Sequence, residues 1–210
     1  MDNLMSIEQR YPFDLNELFF KNPLMVTIKL ARFKFVAKML AQTDRVLDLG
    51  CGNGFSSFYY SQFCRNVHGV DIQEAVLNNW KSFECKNVSF SLGNILDAEI
   101  YEREVDAITC VDVIEHFSLN DGEKILKSAA KCLKANDKGG QLIIGTPSKF
   151  SNTYRAAHNK DHHLHEYEPD ELQSICERYF SRTYQFSMND EIVHTGFNKL
   201  AWFFYIICTV

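Results

Sequence analysis

Short apolar runs alternate with amphipathic segments along most of the chain. The apolar runs predict strands at 45–50, 67–70, 88–92, 105–110 and 141–145. Apolar residues at three- and four-residue steps predict helices over 73–83 and 119–133. The second helix carries one apolar face, made by Ile125, Leu126, Ala129, Ala130 and Leu133. Alternation of strands and helices is typical of a parallel α/β sheet.

Both ends of the chain depart from this alternation. A helix that begins at Glu168–Pro169 precedes two predicted strands, near 183–186 and 201–208, with no helix between them. Such strands can pair antiparallel, so we predict a Rossmann-like, doubly wound sheet of seven strands with an antiparallel C-terminal strand. Residues 13–42 predict two helices broken at Asn22–Pro23, and the second carries an apolar stripe of Leu24, Ile28, Ala31, Phe35 and Met39.

Composition and charge indicate which classes of protein this sequence can belong to. The 210 residues are 46% hydrophobic and 23% charged, which is typical of one soluble globular domain. A net charge of −5 disfavours a nucleic-acid binder. One basic segment, from Lys21 to Arg45, has six basic residues and one acidic residue. It is either a solvated helix face or a basic lip for an anionic substrate or membrane.

The cysteines and the termini predict a cytoplasmic protein. Seven cysteines, an odd number, include no C-x-x-C pair, so zinc ribbons and redox dithiols have no support. They are expected to be mostly small buried residues in a reducing compartment. The first ten residues lack the apolar core of a secretory signal, and the apolar C-terminal end of ten residues is too short to span a bilayer.

A glycine-rich turn follows the first predicted strand. The sequence Val46-Leu-Asp-Leu-Gly-Cys-Gly-Asn-Gly54 lets a ligand approach the backbone closely, and Asp71, 21 residues after Gly50, can bind a ribose diol. A nicotinamide enzyme is the first alternative, but its third glycine should stand where Phe55 is. Asp48 would repel a diphosphate and could pair with a cation. S-adenosylmethionine (SAM) has both a ribose and a positive charge.

This segment resembles the first motif of class I SAM-dependent methyltransferases. Val70-Asp71-Ile72 resembles the second motif and Gly93-Asn94-Ile95 the adenine-binding turn. The resemblance implies that SAM and its product, S-adenosylhomocysteine (SAH), contact the first-motif residues Asp48, Gly50, Cys51, Gly52 and Gly54. It implies that Asp71 holds the ribose hydroxyls, that Ile72 and Ile95 enclose adenine, and that the backbone near Val111 meets the methionyl amino group. Asn94 stands where relatives often carry Asp, and its amide oxygen can still accept a hydrogen bond from adenine.

The run Asp112-Val-Ile-Glu115-His116 is the second candidate constellation. If it is helical, Asp112, Glu115 and His116 share a face above the SAM sulfonium. A polar loop over 148–167 supplies His158, His162, His163 and His165, and loops this long in compact domains are usually functional or mobile. Histidine titrates near physiological pH, so His116 is a candidate base. Alternatively, it is a supporting residue that holds the loop.

Both segments resemble two subgroups of methyltransferases: the ubiquinone-pathway O-methyltransferases and the enzymes that methylate the 2′-hydroxyl of small-RNA 3′ ends. In the RNA enzymes a Glu-x-x-Glu-His run and a loop histidine hold a divalent metal. Here Asp112 replaces the first glutamate and His163 lies nearest the loop position. Because aspartate is one methylene shorter, a divalent metal is an open alternative that is not favoured. We name His116 and His163 as the catalytic residues.

The predicted organisation is a helical lid at 1–42 and a SAM-binding domain at 43–210. The predicted reaction is methyl transfer from SAM to a small-molecule or glycan acceptor, at a hydroxyl oxygen, with an amine as the other acceptor type. Two alternatives stay open: a metal-assisted RNA 2′-O-methyltransferase and a non-catalytic SAM-binding partner subunit. Nucleic acid is disfavoured by the acidic charge and the short chain.

Overall fold

One mixed sheet forms the centre of the computed structural model, which describes residues 20–81, 85–153 and 163–210. Its eight strands lie in the order β3-β2-β1-β4-β5-β8-β6-β7. Strands β1 to β5 run parallel, and β8, β6 and β7 pair antiparallel. The strands are β1 Arg45–Leu49, β2 Asn66–Asp71, β3 Val88–Leu92, β4 Ala107–Val111, β5 Gln141–Pro147, β6 Arg182–Asn189, β7 Ile192–His194 and β8 Phe203–Thr209.

Five α-helices lie within the described residues. They are α1 Pro23–Met39, α2 Phe55–Tyr60, α3 Leu77–Lys81, α4 Leu119–Lys134 and α5 Pro169–Cys176. Local capping explains where the longer ones begin. The side chain of Asn22 accepts a hydrogen bond from Met25 N at the start of α1, and Ser118 caps α4 through Asp121 N. A capping box formed by Glu168 and Glu171 begins α5.

The sheet buries apolar side chains on both faces, because successive residues of a strand point to opposite sides. Leu47, Ile108 and Leu142 belong to the cluster that contains the apolar faces of α4 and α5. Their neighbours Val46 and Ile143 belong to the cluster that contains the buried residues of α1. All seven cysteines are free, and six of them are buried.

The predicted α/β class is confirmed, with two differences in detail. The sheet has eight strands rather than seven, because Ile192–His194 pairs with the end of β6. Three residues are too few to display an alternating pattern, so the sequence did not indicate this strand. The predicted helix over 73–83 begins as a 3-10 turn at Glu74–Val76 and continues as α3.

The apolar face of α1 also differs from the predicted stripe. Ile28 and Ala31 are buried as expected, but Leu24 is 59% exposed and Met39 is 38% exposed. The buried set is Ile28, Ala31, Val36, Ala37 and Leu40, the residue after the helix. The helix therefore packs on the sheet domain from Met25 onward, while Pro23 and Leu24 at its start are exposed. The other predicted N-terminal helix, at 13–21, lies largely outside the described residues.

The order of the parallel strands determines where a ligand can bind. The chain moves outward from β1 through β2 to β3, and then returns to place β4 on the other side of β1. A crevice opens at the carboxyl ends of the strands at such a reversal.

The apolar C-terminal segment forms β8, whose residues from Phe203 to Cys208 are buried within the sheet. No helix in the described part of the chain is long and apolar enough to cross a membrane.

Candidate active site

The glycine-rich turn after β1 lies at this crevice. Gly50, Gly52 and Gly54 have φ values of 68°, 52° and 87°, in the left-handed region that favours glycine. The amide groups of Gly50 and Cys51 both donate to the carbonyl of Val70, at 2.8 and 3.0 Å, which holds the turn against β2. A β-carbon at Gly50 would lie 2.4 Å from a methyl group of Val113.

We expect Gly50→Ala to destabilise the protein more than Gly52→Ala. Both changes place a side chain at positive φ, which costs about 1–2 kcal/mol. Only Gly50→Ala adds a steric clash, since a β-carbon at Gly52 meets nothing within 4 Å. Overpacking adds about 1–3 kcal/mol. Urea unfolding of the two variants measures this difference, and equal losses of unfolding free energy would show that Val113 yields without cost.

Asp71, at the end of β2, supports the same turn. Its side chain is buried, one carboxylate oxygen accepts from Gly52 N at 2.8 Å, and the other accepts from Gln73 N at 2.9 Å. Each oxygen keeps a second lone pair for a ligand hydroxyl. Trp80 adds a support that the sequence did not indicate, because its indole N–H donates to the carbonyl of Gly52 at 2.8 Å.

Asp48 lies beneath the turn and is 2% exposed. Ser56 and Ser57 donate their hydroxyls to one carboxylate oxygen, both at 2.7 Å, and Thr109 donates to the other at 2.6 Å. Burial raises the pKa of Asp48, while the three hydroxyl groups act in the opposite direction. These bonds tie β1 to α2 and β4. Direct pairing of Asp48 with a cationic ligand stays a prediction.

A cleft of about 400 Å³ opens above these residues. It brings together five of the predicted cofactor residues, namely Asp48, Gly50, Cys51, Gly52 and Val111. Lys29 and Phe33 of α1 line the cleft as well. The sequence around these two residues did not indicate that they lie at the cofactor cleft, because they are distant from the glycine motif along the chain. The basic character of this segment was the one visible hint.

The residues predicted to enclose adenine have different surroundings. Ile72 is 64% exposed, whereas Ile95 is 5% exposed and belongs to the core cluster on the α4 side of the sheet. The amide oxygen of Asn94 accepts from Leu96 N at 3.0 Å, which closes the turn after β3. That oxygen has a second lone pair for an adenine amino group. Contact of these three residues with adenine stays a prediction.

Asp112, Glu115 and His116 do not share a helix face, contrary to expectation. Asp112 has a φ of 56°, and the following residues form a 3-10 turn over Ile114–His116. Both carboxylate oxygens of Asp112 instead accept from Nη1 of Arg32, at 3.0 Å each. The guanidinium of Arg32 also lies 3.9 Å from the ring centroid of Phe203. Helix α1 is thereby fastened to the carboxyl edge of β4.

Glu115, His116 and His163 do come together. Each offers one potential ligand atom, and these atoms lie within 4.8 Å of one another. Glu115 is 1% exposed and accepts a hydrogen bond from Thr146 Oγ1 at 2.9 Å. Burial, and then the negative charge of Asp112, raise the pKa of Glu115. The carbonyl of Glu115 accepts from Leu164 N and from His165 N, at 2.9 and 3.2 Å, so the loop histidines are positioned by backbone contacts.

Each of the two described histidines of the loop has a carboxylate partner, one in the loop and one in α5. Nδ1 of His163 lies 2.9 Å from Glu166 Oε1, and Nε2 of His165 lies 3.0 Å from Glu171 Oε1. Only His163 approaches His116, with ring centroids 5.1 Å apart. The sequence did not single out Glu166, although its spacing of three from His163 was visible. His158 and His162 lie outside the described residues.

Comparisons with known proteins show that this chain is similar to methyltransferases. Residues 46–136 match the family model described as a methyltransferase domain. The ubiquinone biosynthesis O-methyltransferase of Hydrogenovibrio crunogenus is 30% identical over 131 residues, which are 60% of this chain and 52% of that protein. Its counterpart in Coxiella burnetii is 26% identical over 131 residues, 60% of this chain and 54% of that protein. The chain thus spans about half the length of these curated relatives.

Solved structures show the same fold. The methyltransferase domain of a bacterial Hen1 protein, CtHen1, has a TM-score of 0.70 at 20% identity, covering 87% of this chain and 98% of that one. A SAM-dependent methyltransferase from Clostridium acetobutylicum has a TM-score of 0.66 at 16% identity, covering 88% and 91%. With the family match, these findings confirm the resemblance seen in the sequence. Residues 46–136 are thus similar to the methyltransferase-domain family, and the described residues have the fold of class I SAM-dependent methyltransferases.

Proposed function

We propose that the chain transfers the methyl group of SAM to a hydroxyl oxygen of a small molecule. The observation that carries the proposal is the His116–His163 pair, with His163 held by Glu166, at the carboxyl edge of the sheet that also holds the glycine turn. The acceptor oxygen attacks the methyl carbon, the carbon–sulfur bond breaks, and the sulfonium becomes the neutral thioether of SAH. The acceptor proton passes to a histidine.

His163 is the base in this proposal, and His116 orients the acceptor beside it. A carboxylate on Nδ1 holds an imidazole in one orientation and stabilises the imidazolium that forms. Glu166 provides that carboxylate at 2.9 Å. The similarity to two ubiquinone biosynthesis O-methyltransferases supports an oxygen acceptor on a small molecule.

Lys29 and Asp71 hold the two ends of the cofactor in this proposal. Lys29 lines the cleft beside Val111, where its ammonium can meet the methionyl carboxylate. Asp71 binds the ribose, as the resemblance to the second motif implies. In-line methyl transfer needs the donor and acceptor to be fixed in one geometry. The protein therefore contributes mainly orientation, and SAM supplies the leaving group.

The second candidate is a metal-assisted RNA 2′-O-methyltransferase. It is favoured by the cluster of Glu115, His116 and His163 and by the likeness in fold to the CtHen1 domain. Three of the four implied ligands fit a divalent cation, and Glu166 on His163 is the kind of partner that metal-bound histidines have. The fourth, Asp112, is paired with the guanidinium of Arg32. A bound metal would act as a Lewis acid on the acceptor oxygen.

A transfer assay with isotope-labelled methyl groups on SAM tests the proposal. The acceptor panel contains phenolic small molecules, glycans, amines and single-stranded RNA, each with EDTA and with Mg²⁺. Methylation of a small-molecule hydroxyl in EDTA is the expected result. Methylation of RNA alone, dependent on Mg²⁺, would replace the proposal by the second candidate. SAH binding without transfer to any acceptor would favour the third reading, a non-catalytic SAM-binding subunit.

The N-terminal helix acts as a lid over the cofactor in this proposal. Lys29 and Phe33 line the cleft, and Arg32 is bonded to Asp112, while Pro23 and Leu24 at the start of α1 are exposed. We expect SAH to slow hydrogen exchange of amides at 24–33 by about tenfold, because segments that gate sites have low local stability. Val36, Ala37 and Leu40 are buried, and their amides serve as the internal control. Equal protection with and without SAH would mean that α1 is fixed structure.

A further inference from the structure

A second cavity lies at the opposite edge of the sheet. It has a volume of about 290 Å³ and is lined by the amino ends of β1, β2 and β3 together with residues 103–105. It shares no lining residue with the cofactor cleft at the carboxyl ends of the strands. A five-residue strand such as β1 separates the two sites by about 15 Å.

Arg103 is the unusual residue of this cavity. Its Nε atom is buried, and the part of the chain that the structure describes offers it no hydrogen-bond acceptor. Glu104 and Arg45 also line the cavity, but the Glu104 carboxylate is bonded to Arg45, and Asp106 holds the other side of that guanidinium. A buried guanidinium N–H without an acceptor is costly. Because Nε itself is not accessible, a ligand in the cavity would bind the other guanidinium nitrogens, and an anion there would stabilise the same positive charge.

The surroundings of Arg103 favour an anion. Lys86 lines the same cavity and is exposed, so its ammonium is available to a ligand. The ring of His68 lies between the hydroxyls of Ser89 and Ser91, at 2.8 Å from each. Burial, and then the positive charge of Arg103, lower the pKa of His68 to about 4. His68 is therefore neutral at pH 7, and Arg103 and Lys86 are the cations that remain for a ligand.

We propose that this cavity binds a phosphate group, with Arg103 and Lys86 as its charged ligands. A guanidinium presents two parallel N–H donors that match two phosphate oxygens, and an ammonium adds a compact positive charge. The volume exceeds that of a phosphate ion, so a phosphate monoester also fits. Free phosphate and a monoester share this chemistry, and the experiment below distinguishes them.

Titration of the ¹⁵N-labelled protein, followed by the Nε–H signals of arginine in NMR spectra, tests the site directly. Inorganic phosphate and glycerol 3-phosphate are added separately at constant ionic strength, with chloride as the control. We expect a saturable shift of the Arg103 signal, which the Arg103→Lys variant identifies by its absence. Tighter binding of glycerol 3-phosphate would identify a monoester as the ligand, and equal or weaker binding would identify free phosphate.

Two variants distinguish phosphate binding in the cavity from phosphate binding elsewhere on the surface. Arg103→Gln should weaken phosphate binding at least about tenfold, since it removes a charge-assisted pair of hydrogen bonds. Lys138→Gln removes an exposed lysine outside the cavity and should leave binding unchanged. SAH affinity should equal that of the wild type in both variants, which shows that they fold. No saturable shift in the wild type up to about 20 mM of either ligand, where a millimolar site is nearly full, would overturn the proposal. So would equal phosphate binding by Arg103→Gln.

Discussion

Asp71→Ala is expected to weaken SAH binding about a hundredfold or more. Each hydrogen bond to a charged acceptor contributes about 1.5–3 kcal/mol, and about 1.4 kcal/mol corresponds to a tenfold change in affinity. The carboxylate has a free lone pair on each oxygen, so two ribose hydroxyls can bind. The same oxygens hold Gly52 N and Gln73 N, and their loss loosens the glycine turn as well.

Two further variants identify the source of this loss. Asp71→Asn keeps the shape of the side chain and one acceptor oxygen, so we expect a smaller loss of about tenfold. Asp137→Ala removes an exposed carboxylate at the far edge of the sheet and should change nothing. Calorimetry with SAH measures all three, and NAD should not bind to the wild type. An Asp71→Ala affinity within twofold of the wild type would remove Asp71 from the cofactor site.

The parts of the site that could be predicted from the sequence are local. The glycine turn and Asp71 each lie in a short contiguous motif. The three glycines of the turn indicate a left-handed backbone, and Asp71 directly follows the predicted apolar strand at 67–70. Helix α4 was also accessible, because its apolar residues repeat at helical spacing and all five predicted ones are buried. In each case, a few consecutive residues determine the local structure.

The parts that could not be predicted depend on contacts between distant segments. Arg32 and Asp112 are 80 positions apart, and nothing near either residue indicates that they pair. The left-handed backbone at Asp112 breaks the helical spacing that had grouped it with Glu115 and His116. Aspartate tolerates this conformation better than most residues, but only the packed structure requires it. The sequence named His116 as the candidate base, whereas our proposal gives that role to His163, because the carboxylate of Glu166 lies 2.9 Å from its Nδ1.

His163→Ala is expected to lower turnover by about 10²–10⁴-fold, the usual effect of losing a general base. SAH affinity should stay within about twofold of the wild type, since a general base acts on the acceptor proton. Glu166→Gln should reduce turnover less, by about tenfold, because it removes the charge that stabilises the imidazolium and keeps a hydrogen-bond acceptor. His165→Ala is the matched control, because this histidine lies on the same loop but its ring bonds Glu171 of α5 instead of Glu166.

A chelator separates this mechanism from metal assistance. We expect wild-type turnover to be unchanged by EDTA, because Asp112 is bonded through both oxygens to Arg32 and that guanidinium already supplies the positive charge a cation would bring. If a metal acted instead, EDTA would abolish turnover, Mg²⁺ or Mn²⁺ would restore it, and His116→Ala and His163→Ala would be equally impaired.

The Arg32→Gln variant gives opposite results in the two mechanisms. In the metal mechanism, the variant frees Asp112 to complete a four-ligand set, so it should strengthen activation by Mg²⁺. In the general-base mechanism, it only loosens α1 and lowers the affinity for SAM. Full activity of both His116→Ala and His163→Ala would exclude both mechanisms.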